Sequence, residues 1–323
     1  MTLSVAIERP VETPLVPLHV CTPLLATVVA GRMVGLKLEN LQPARSFKIR
    51  GIGRLCQHHQ ACGARALVCS SAGNAGYAVA WAGRALGMPV TVVLPETSAV
   101  WMRERIAALG ATVVVEGQVW DDANTMALGL AGAPGVACIP PFDDPLIWEG
   151  HASLVDELAE QCAHPPEAIC VAVGGGGLLL GLLLGLERHG WTQTRVLAVE
   201  PEGSAGLSRS LAAGHVVDLP APRSVASSLC VRHVSDALLP ACGKHPVTSV
   251  VVDDGACRRA CVRLAEDYGM LVEPACGAAL APVFDNHPAL TGVHDVVSVV
   301  CGGQVVRLQE LGAWAAGTSS VGQ

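Results

Sequence analysis

Hydrophobic positions along the chain follow two alternating patterns, which together predict an α/β fold. Short apolar runs typical of strands lie at residues 66–69, 90–94, 112–115, 169–173, 196–199, 249–252 and 296–300. Segments with helical spacing lie between them, at residues 75–86, 99–109, 153–162, 177–189 and 255–268. Strands that are apolar on both faces indicate parallel sheets covered by helices on each side, the arrangement of doubly wound proteins.

Several local signals refine the helices. Glu273-Pro274 predicts a helix start, because proline early in a helix needs no N–H partner. Asp253-Asp254 predicts a helix cap. Cysteine and histidine at residues 56–62 have the composition of a zinc site, but the spacing favours one face of a short helix over metal binding.

Two proline-rich breaks divide the chain, one near Pro43 and one at Pro140-Pro141. The intervening section of about 100 residues has strands and helices of its own, and the 323 residues suffice for two ordinary domains. The sequence therefore predicts a small domain at residues 44–144, inserted into a large domain formed by residues 1–43 plus 145–323.

The charge balance excludes some classes of partner. A formal net charge of −7 and a pI of about 5.9 argue against nucleic acid or an anionic membrane. Residues 168–186 carry no charge and are long enough for a membrane span, but they contain six glycines, four of them consecutive. A strand, a tight loop and a helix explain that glycine cluster better.

Cysteine usage and the N-terminal sequence indicate the compartment. Thirteen cysteines are scattered along the chain without a C-x-x-C pair, as expected of free thiols in a reducing environment. Residues 1–14 show no secretory signal. We therefore expect a cytoplasmic protein.

Glycine- and serine-rich turns follow four of the predicted strands, where α/β proteins bind ligands. The run Gly174-Gly175-Gly176-Gly177 predicts a phosphate cradle at a helix N-terminus, although a tight structural turn is the alternative. It matches neither the dinucleotide fingerprint nor the P-loop. Residues 70–76, Ser-Ser-Ala-Gly-Asn-Ala-Gly, have the donors to hold a carboxylate, or they cap the helix in the ordinary way.

The other two segments carry single reactive groups. Lys48 follows Phe47 in a lysine-poor chain, and a desolvated lysine can act as nucleophile or base, although most lysines are surface charges. Cys301 ends a strand and is followed by two glycines, so its thiol faces the same crevice unless it belongs to the core.

In combination and in order, these segments resemble the fold-type-II pyridoxal-phosphate enzymes, and most closely the serine/threonine dehydratases. The resemblance covers nearly the whole chain, with matching motifs at residues 22–24, 37–40, 46–51, 70–76, 141–145, 174–178, 273–279 and 301–303. It implies a tryptophan synthase β-like α/β fold, with two doubly wound open sheets. The cofactor, pyridoxal 5′-phosphate, then lies in the cleft between the large and small domains.

The resemblance also implies a role for each site residue. Lys48 carries the cofactor as a Schiff base and is the Cα base, Phe47 stacks on the pyridine ring, Asn74 binds the ring hydroxyl and Cys301 faces the ring nitrogen. The phosphate is cradled by Gly174, Gly175, Gly176, Gly177 and Leu178. The substrate carboxylate is bound by Ser71, Ala72, Asn74 and Ala75. A monovalent cation, expected to be K⁺, is held by Gly174, Glu200, Ser204, Leu229 and Val231.

The implied reaction is β-elimination of water from L-serine, and from L-threonine, giving pyruvate or 2-oxobutanoate and ammonia. Ala72 stands where serine racemases have a serine base, which favours elimination over racemisation. Arg45 and Gln304 depart from the residues frequent in close relatives and lie beside the site. The resemblance further implies a homodimer that acts on small amino acids. Threonine-preferring deamination, racemisation, β-replacement and a catalytically silent amino-acid-binding protein remain the alternatives.

Overall fold

A computed structural model describes residues 16–317 of the chain. Its strands are β1 (Leu24–Val29), β2 (Arg32–Lys37), β3 (Ala66–Cys69), β4 (Val90–Leu94), β5 (Thr112–Val115), β6 (Val136–Cys138), β7 (Ala168–Ala172), β8 (Arg195–Pro201), β9 (Val247–Val252) and β10 (Asp295–Val299). Its α-helices are α1 (Lys48–Ala61), α2 (Asn74–Leu86), α3 (Val100–Ala107), α4 (Trp120–Ala131), α5 (Pro145–Gln161), α6 (Gly177–Arg188), α7 (Gly206–Ala213), α8 (Leu238–Cys242), α9 (Asp254–Tyr268), α10 (Pro274–Phe284) and α11 (Leu308–Ala315).

The strands form two open sheets, as predicted. The larger has the order β1-β2-β10-β7-β8-β9, parallel throughout except for the β1–β2 hairpin. The smaller has the order β5-β4-β3-β6 and is entirely parallel. All four strands of the smaller sheet fall within the predicted insertion, whereas the domain limits at residues 44 and 144 stay a prediction.

Each sheet has its own buried core, and helix α5 contributes to both. Leu154, Val155 and Leu158 pack in the core of the larger sheet, while Ile147 packs in that of the smaller. The amino-terminal part of α5 also packs on α1, where Gly150 and Gly51 approach so closely that a Cβ on either would overlap the other helix's backbone. Helix α5 therefore ties the two units together next to the residue that begins α1.

A network of buried charges anchors the start of α1. The Arg50 guanidinium bonds the Glu39 carboxylate at 2.7 Å and Glu157 at 2.6 Å, and the Lys37 ammonium bonds Glu157 at 2.5 Å. Lys37, Arg50 and Glu39 are fully buried. Because unpaired ions are costly in the interior, the network fixes the orientation of the first turn of α1, which carries Lys48.

Several local predictions are confirmed. Asp253 caps α9 by accepting from the Ala256 N–H at 2.7 Å, and Pro274 is the first residue of α10. Residues 56–61 lie in α1, the helix expected there. All thirteen cysteines are free thiols.

The uncharged stretch at residues 168–186 forms β7, the glycine turn and most of α6. No helix within residues 16–317 has the length and apolar character needed to span a bilayer.

Candidate active site

Lys48 begins helix α1, and the segment before it is tied to the segment that follows β10. Ser46 forms an isolated antiparallel bridge with Gly302, and the Phe47 N–H donates to the Cys301 carbonyl at 3.3 Å. The chain thereby places Lys48 beside Cys301.

The Lys48 amine lies in a partly enclosed, weakly hydrated position. Its Nζ donates to the Pro141 carbonyl at 2.6 Å and lies 5.3 Å from the centre of the Phe47 ring. Burial lowers its pKa to about 8, against the opposing effects of Glu273 and Cys301. A lysine with this pKa is partly neutral near physiological pH and able to act as nucleophile or base.

Beneath Phe47 lies His151, a residue that sequence reasoning missed. The two rings meet edge to face with their centres 5.1 Å apart. His151 is fully buried, and burial together with the nearby cations Lys48 and Arg50 holds its pKa well below the usual value. Neither ring nitrogen has a hydrogen-bond partner among residues 16–317. The imidazole is therefore neutral and acts as packing support for Phe47.

The glycine loop, residues 174–178, follows β7 and leads into α6. A Cβ on Gly175 would lie 2.3 Å from the Phe142 ring, and one on Gly177 would lie 2.5 Å from the Phe142 carbonyl oxygen. Gly176 has a φ of +98°, which favours glycine. The positions of Gly175, Gly176 and Gly177 therefore do not accommodate a side chain.

The same loop presents buried N–H groups that lack acceptors. Within the described chain, the N–H groups of Gly175, Gly176, Gly177 and Leu178 donate to no protein atom. They lie at the positive end of the twelve-residue helix α6. Buried unpaired donors are rare in proteins, and a cluster at a helix N-terminus is the arrangement that binds phosphate.

The serine loop, residues 70–75, follows β3 and leads into α2. The Ser71 hydroxyl accepts from the Gly73 N–H at 3.4 Å. The N–H groups of Ala72, Asn74 and Ala75 have no acceptor within the described chain. The loop therefore offers free donors at a second helix N-terminus, as a carboxylate site requires.

Asn74 connects the smaller sheet with residues of the larger one. Its Nδ2 donates to both oxygens of Glu273, at 2.9 and 3.0 Å, and lies 3.5 Å from the Ser228 hydroxyl. Its Oδ1 accepts from the Gln304 N–H at 2.7 Å. The Asn74 amide is thus held in one orientation from both ends, in the cleft between the sheets.

Glu273 is the second residue that the sequence did not single out as part of the site. It precedes α10, is buried, and accepts from the Val305 N–H at 3.1 Å as well as from Asn74. Burial raises its pKa, and hydrogen bonds from Ser228 and Asn74 oppose that shift. Its sequence signals were the family motif at residues 273–279 and an acidic residue before Pro274, which also fits an ordinary helix start.

Cys301 lies immediately beyond β10, buried against α10. Its thiol donates to the Val299 carbonyl at 3.4 Å. A hydrogen bond with Cys276 and burial raise its pKa well above the usual value, so the thiol stays neutral. A neutral group here cannot compensate a positive charge on a neighbouring ring nitrogen.

The residues predicted to bind a cation partly converge. The Ser204 hydroxyl donates to the Leu229 carbonyl at 3.0 Å, and a Cβ on Gly174 would lie 3.1 Å from the Leu229 Cα. Glu200 instead accepts from the Leu207 and Ser208 N–H groups at 2.7 and 2.8 Å. Burial raises its pKa to about 7. Val231 is partly exposed, two residues beyond Leu229.

Arg45 and Gln304, the two departures from close relatives, lie at the edge of the site. Arg45 has a φ of +55°, in the left-handed region where glycine is favoured. The Gln304 carbonyl and side-chain oxygens accept from Arg105 at 2.9 and 3.1 Å.

The donor set fits pyridoxal 5′-phosphate. A partly neutral Lys48 amine suits its aldehyde, the Asn74 amide suits its ring hydroxyl, and the four free N–H groups of the glycine loop suit its phosphate. Ser228 lies between Asn74 and the glycine loop. Its hydroxyl contacts Asn74, and its carbonyl oxygen would lie 3.4 Å from a Cβ on Gly174.

Comparison with known proteins agrees with this assignment. The family model described as pyridoxal-phosphate dependent enzyme matches residues 9–302. The human protein named serine dehydratase-like is 46% identical over 312 residues, covering 92% of this chain and 94% of that protein. The human L-serine dehydratase/L-threonine deaminase is 44% identical over 310 residues, with coverage of 92% and 94%.

A solved structure extends the agreement to the fold. The crystal structure of a fungal L-serine ammonia-lyase from Rhizomucor miehei superposes with a TM-score of 0.87 at 34% identity, covering 94% of this chain and 99% of that one. The match of the family model and of the two human relatives over nearly the whole chain shows that this protein belongs to the pyridoxal-phosphate-dependent enzyme family.

Proposed function

We propose that this chain is an L-serine dehydratase that also accepts L-threonine, forming pyruvate or 2-oxobutanoate and ammonia. The observation that carries the proposal is a weakly basic Lys48 placed in one cleft with the free N–H donors of the glycine loop and of the serine loop. The names of the relatives at 44–46% identity support the substrate class.

The bound cofactor supplies the electron sink that makes the substrate Cα–H acidic. The Lys48 amine then accepts the Cα proton. Its pKa of about 8 lies near operating pH, where a general base is most effective. The Pro141 carbonyl, 2.6 Å from Nζ, holds the amine in place when it carries a proton.

Substrate orientation comes from the serine loop. The free N–H groups of Ala72, Asn74 and Ala75, with the positive end of α2, bind the substrate carboxylate. Fixing the carboxylate directs one face of Cα toward Lys48. Ala72 carries no hydroxyl that could act as a second base on the opposite face, which favours elimination over racemisation.

Two residues set the electronic environment. The neutral Cys301 thiol does not favour a protonated pyridine ring, so the electron sink is moderate and suits loss of a β-hydroxyl. The Glu273 carboxylate fixes the Asn74 amide that would bind the ring hydroxyl.

Three finer features belong to the proposal: the compartment, the oligomeric state and the bound cation. The enzyme is a cytoplasmic homodimer, with K⁺ bound by Gly174, Glu200, Ser204, Leu229 and Val231. The contacts among Gly174, Ser204 and Leu229 support the cation site. The thirteen free thiols support a reducing compartment.

A 2-oxo-acid assay tests the reaction. L-serine, L-threonine and D-serine are offered to the holoenzyme in K⁺ and in Na⁺ buffers. We expect pyruvate from L-serine, 2-oxobutanoate from L-threonine and higher rates in K⁺. Absence of both products would refute the assignment of dehydratase activity.

Borohydride reduction of the holoenzyme, followed by peptide mapping, tests the role of Lys48 independently of turnover. The chain has only three lysines, Lys37, Lys48 and Lys244, so the assignment is unambiguous. We expect the reduced cofactor on Lys48. Label on either of the other two would show that the active lysine has been misassigned.

A further inference from the structure

A cavity lies against the segment that follows β10, beside the candidate active site. It has a volume of about 400 Å³ and is lined by residues that include Asn40, Leu41, Arg45, Arg105, Leu271 and Gln304. Neither Lys48, Asn74 nor the glycine loop lines it. Its size falls within the range of small-molecule sites.

The lining carries positive charge without compensation. It contains two arginines and no acidic residue, in a chain whose net charge is −7. Within residues 16–317, neither Arg45 nor Arg105 pairs with a carboxylate. Arg105 instead donates to the oxygens of Gln304 and stacks on the Trp101 ring at 4.8 Å. Guanidinium groups whose N–H donors are free are suited to carboxylates, which they bind in a bidentate manner.

An unpaired buried donor in the same lining points to an anionic ligand. The side chain of Gln304 is almost completely buried, and its Nε2 has no hydrogen-bond partner among the described residues. Buried polar atoms are nearly always paired, so a donor beside two guanidinium groups indicates an acceptor that the chain itself does not supply.

The backbone of Arg45 adds an independent observation. A residue with a Cβ at a φ of +55° is strained where glycine would not be. Strain of this kind is concentrated at functional sites and ligand clamps. The partly exposed side chains of Leu41 and Leu271 provide apolar walls, which favour an organic anion over an inorganic one.

We propose that this cavity binds a small organic dicarboxylate between Arg45 and Arg105. The bound ligand stabilises the segment after β10, whose Gln304 N–H donates to Asn74. The Gln304 side chain contacts the cavity, while its backbone N–H donates to Asn74 at 2.7 Å. The Arg105 side chain comes from α3 beside the smaller sheet, and Gln304 follows β10 of the larger one. A ligand in the cavity therefore links the two sides of the cleft and stabilises the contact between Gln304 and Asn74 in the active site.

Isothermal titration calorimetry on the full-length holoenzyme tests the proposal without depending on turnover. The probes are malonate, the monocarboxylate propionate and uncharged malonamide, at constant ionic strength. We expect malonate to bind more tightly than propionate and malonamide to give no heat of binding. Loss of one guanidinium, in Arg45→Met or Arg105→Met, should raise the malonate Kd by at least about tenfold.

Arg259→Met provides the matched control, because Arg259 pairs with Asp285 on the exposed face of α9, outside the cavity. We expect it to leave the malonate Kd unchanged. An unaltered Kd in both cavity variants would place malonate elsewhere, including the serine loop, and would overturn the proposal. Absence of malonate binding to the wild type would overturn it equally, whether or not the protein proves to be a dehydratase.

Discussion

Lys48 is a strong base in water and a much weaker one in this cleft, and the difference determines when it reacts. Burial lowers its pKa from 10.5 to about 8, because the ammonium loses hydration that the Pro141 carbonyl only partly replaces. The amine is nucleophilic only when neutral, so its availability rises as pH increases through that value.

Cofactor reconstitution should follow the same pH dependence. We expect the rate at which apoprotein takes up pyridoxal 5′-phosphate to increase with pH and to level off above about pH 8. Stopped-flow absorbance of the bound cofactor measures it. Lys244→Ala, which alters an exposed lysine, should give the same profile. A rate that does not change across the pKa range would contradict a lowered Lys48 pKa.

The glycine loop allows a second test at the scale of one methyl group. Gly175→Ala places a Cβ 2.3 Å from the Phe142 ring and disturbs the donors that would bind phosphate. We expect the Kd for cofactor, measured by equilibrium dialysis, to rise at least about tenfold, the effect of losing one charge-assisted hydrogen bond.

Gly129→Ala is the control, since a Cβ at that position in α4 meets no atom within 4 Å. It should leave cofactor affinity unchanged and stabilise the helix by roughly 0.5–1 kcal/mol. Equal affinities for the two variants would show that the turn at Gly175 tolerates a side chain.

Site residues differ in how far their sequence neighbourhood reveals them. Lys48 and the glycine loop occur in short motifs, so local sequence was sufficient to nominate them. Glu273 acquires its role only by contact with Asn74, which lies 199 positions away. His151 lies in the middle of α5, where the sequence resembles any buried helix face. Such roles come from tertiary packing, which no local pattern encodes.

At the scale of elements, α1 depends on charges that are entirely buried. Arg50 neutralises Glu39 and Glu157, and removing its guanidinium leaves both carboxylates without their main partner. We expect Arg50→Met to lower the free energy of unfolding by about 3–5 kcal/mol. Urea denaturation of the apoprotein measures this change.

Arg54, one turn further along α1, is a matched control. Its pair with Glu149 has both side chains more than two-fifths exposed, so Arg54→Met should cost no more than about 1 kcal/mol. Similar losses for the two variants would show that the buried network does not determine the stability of α1.

Elements were predicted best where a short apolar run is bounded on both sides by turn residues. Strands β3, β4 and β5 have the predicted bounds, because continuous Val-rich runs between turns leave little ambiguity. The β1–β2 hairpin was not predicted, since its turn, Ala30-Gly31, has positive φ at both positions without the usual Asn-Gly signature. Helix α4 was also missed, because only Ala123 and Ala127 of its residues are buried.

Across the whole molecule, the Asn74–Glu273 pair links the two sheets on either side of the cleft. Glu273→Gln replaces an acceptor of two donors with a group that must turn its amide hydrogens toward one of them. We expect kcat/KM for L-serine to fall at least about tenfold. The cofactor content should be retained.

Asp285→Asn supplies the comparison at the other end of α10, where the carboxylate is exposed and pairs with Arg259. It should leave kcat/KM unchanged. If Glu273→Gln behaved in the same way, the orientation of Asn74 would not depend on the carboxylate.

The strand order could not be read from the residues themselves. Strand β2 pairs with β10, for example Val34 with Val296, although about 260 residues separate them. Hydrophobic patterning indicates parallel strands but not which strands are neighbours. The family resemblance implied two open sheets, and the order of their strands is seen only in the structure.

The burial of Lys37 under Glu157 has a practical consequence for handling the protein. Of the three lysines, Lys37 is fully buried and Lys48 lies in the cleft, which leaves Lys244 as the exposed lysine side chain. Acylating reagents applied to the holoenzyme should therefore modify Lys244 in preference to the other two. Lys244 follows α8 and offers a single lysine for attaching a fluorophore or a solid support while the cleft stays open.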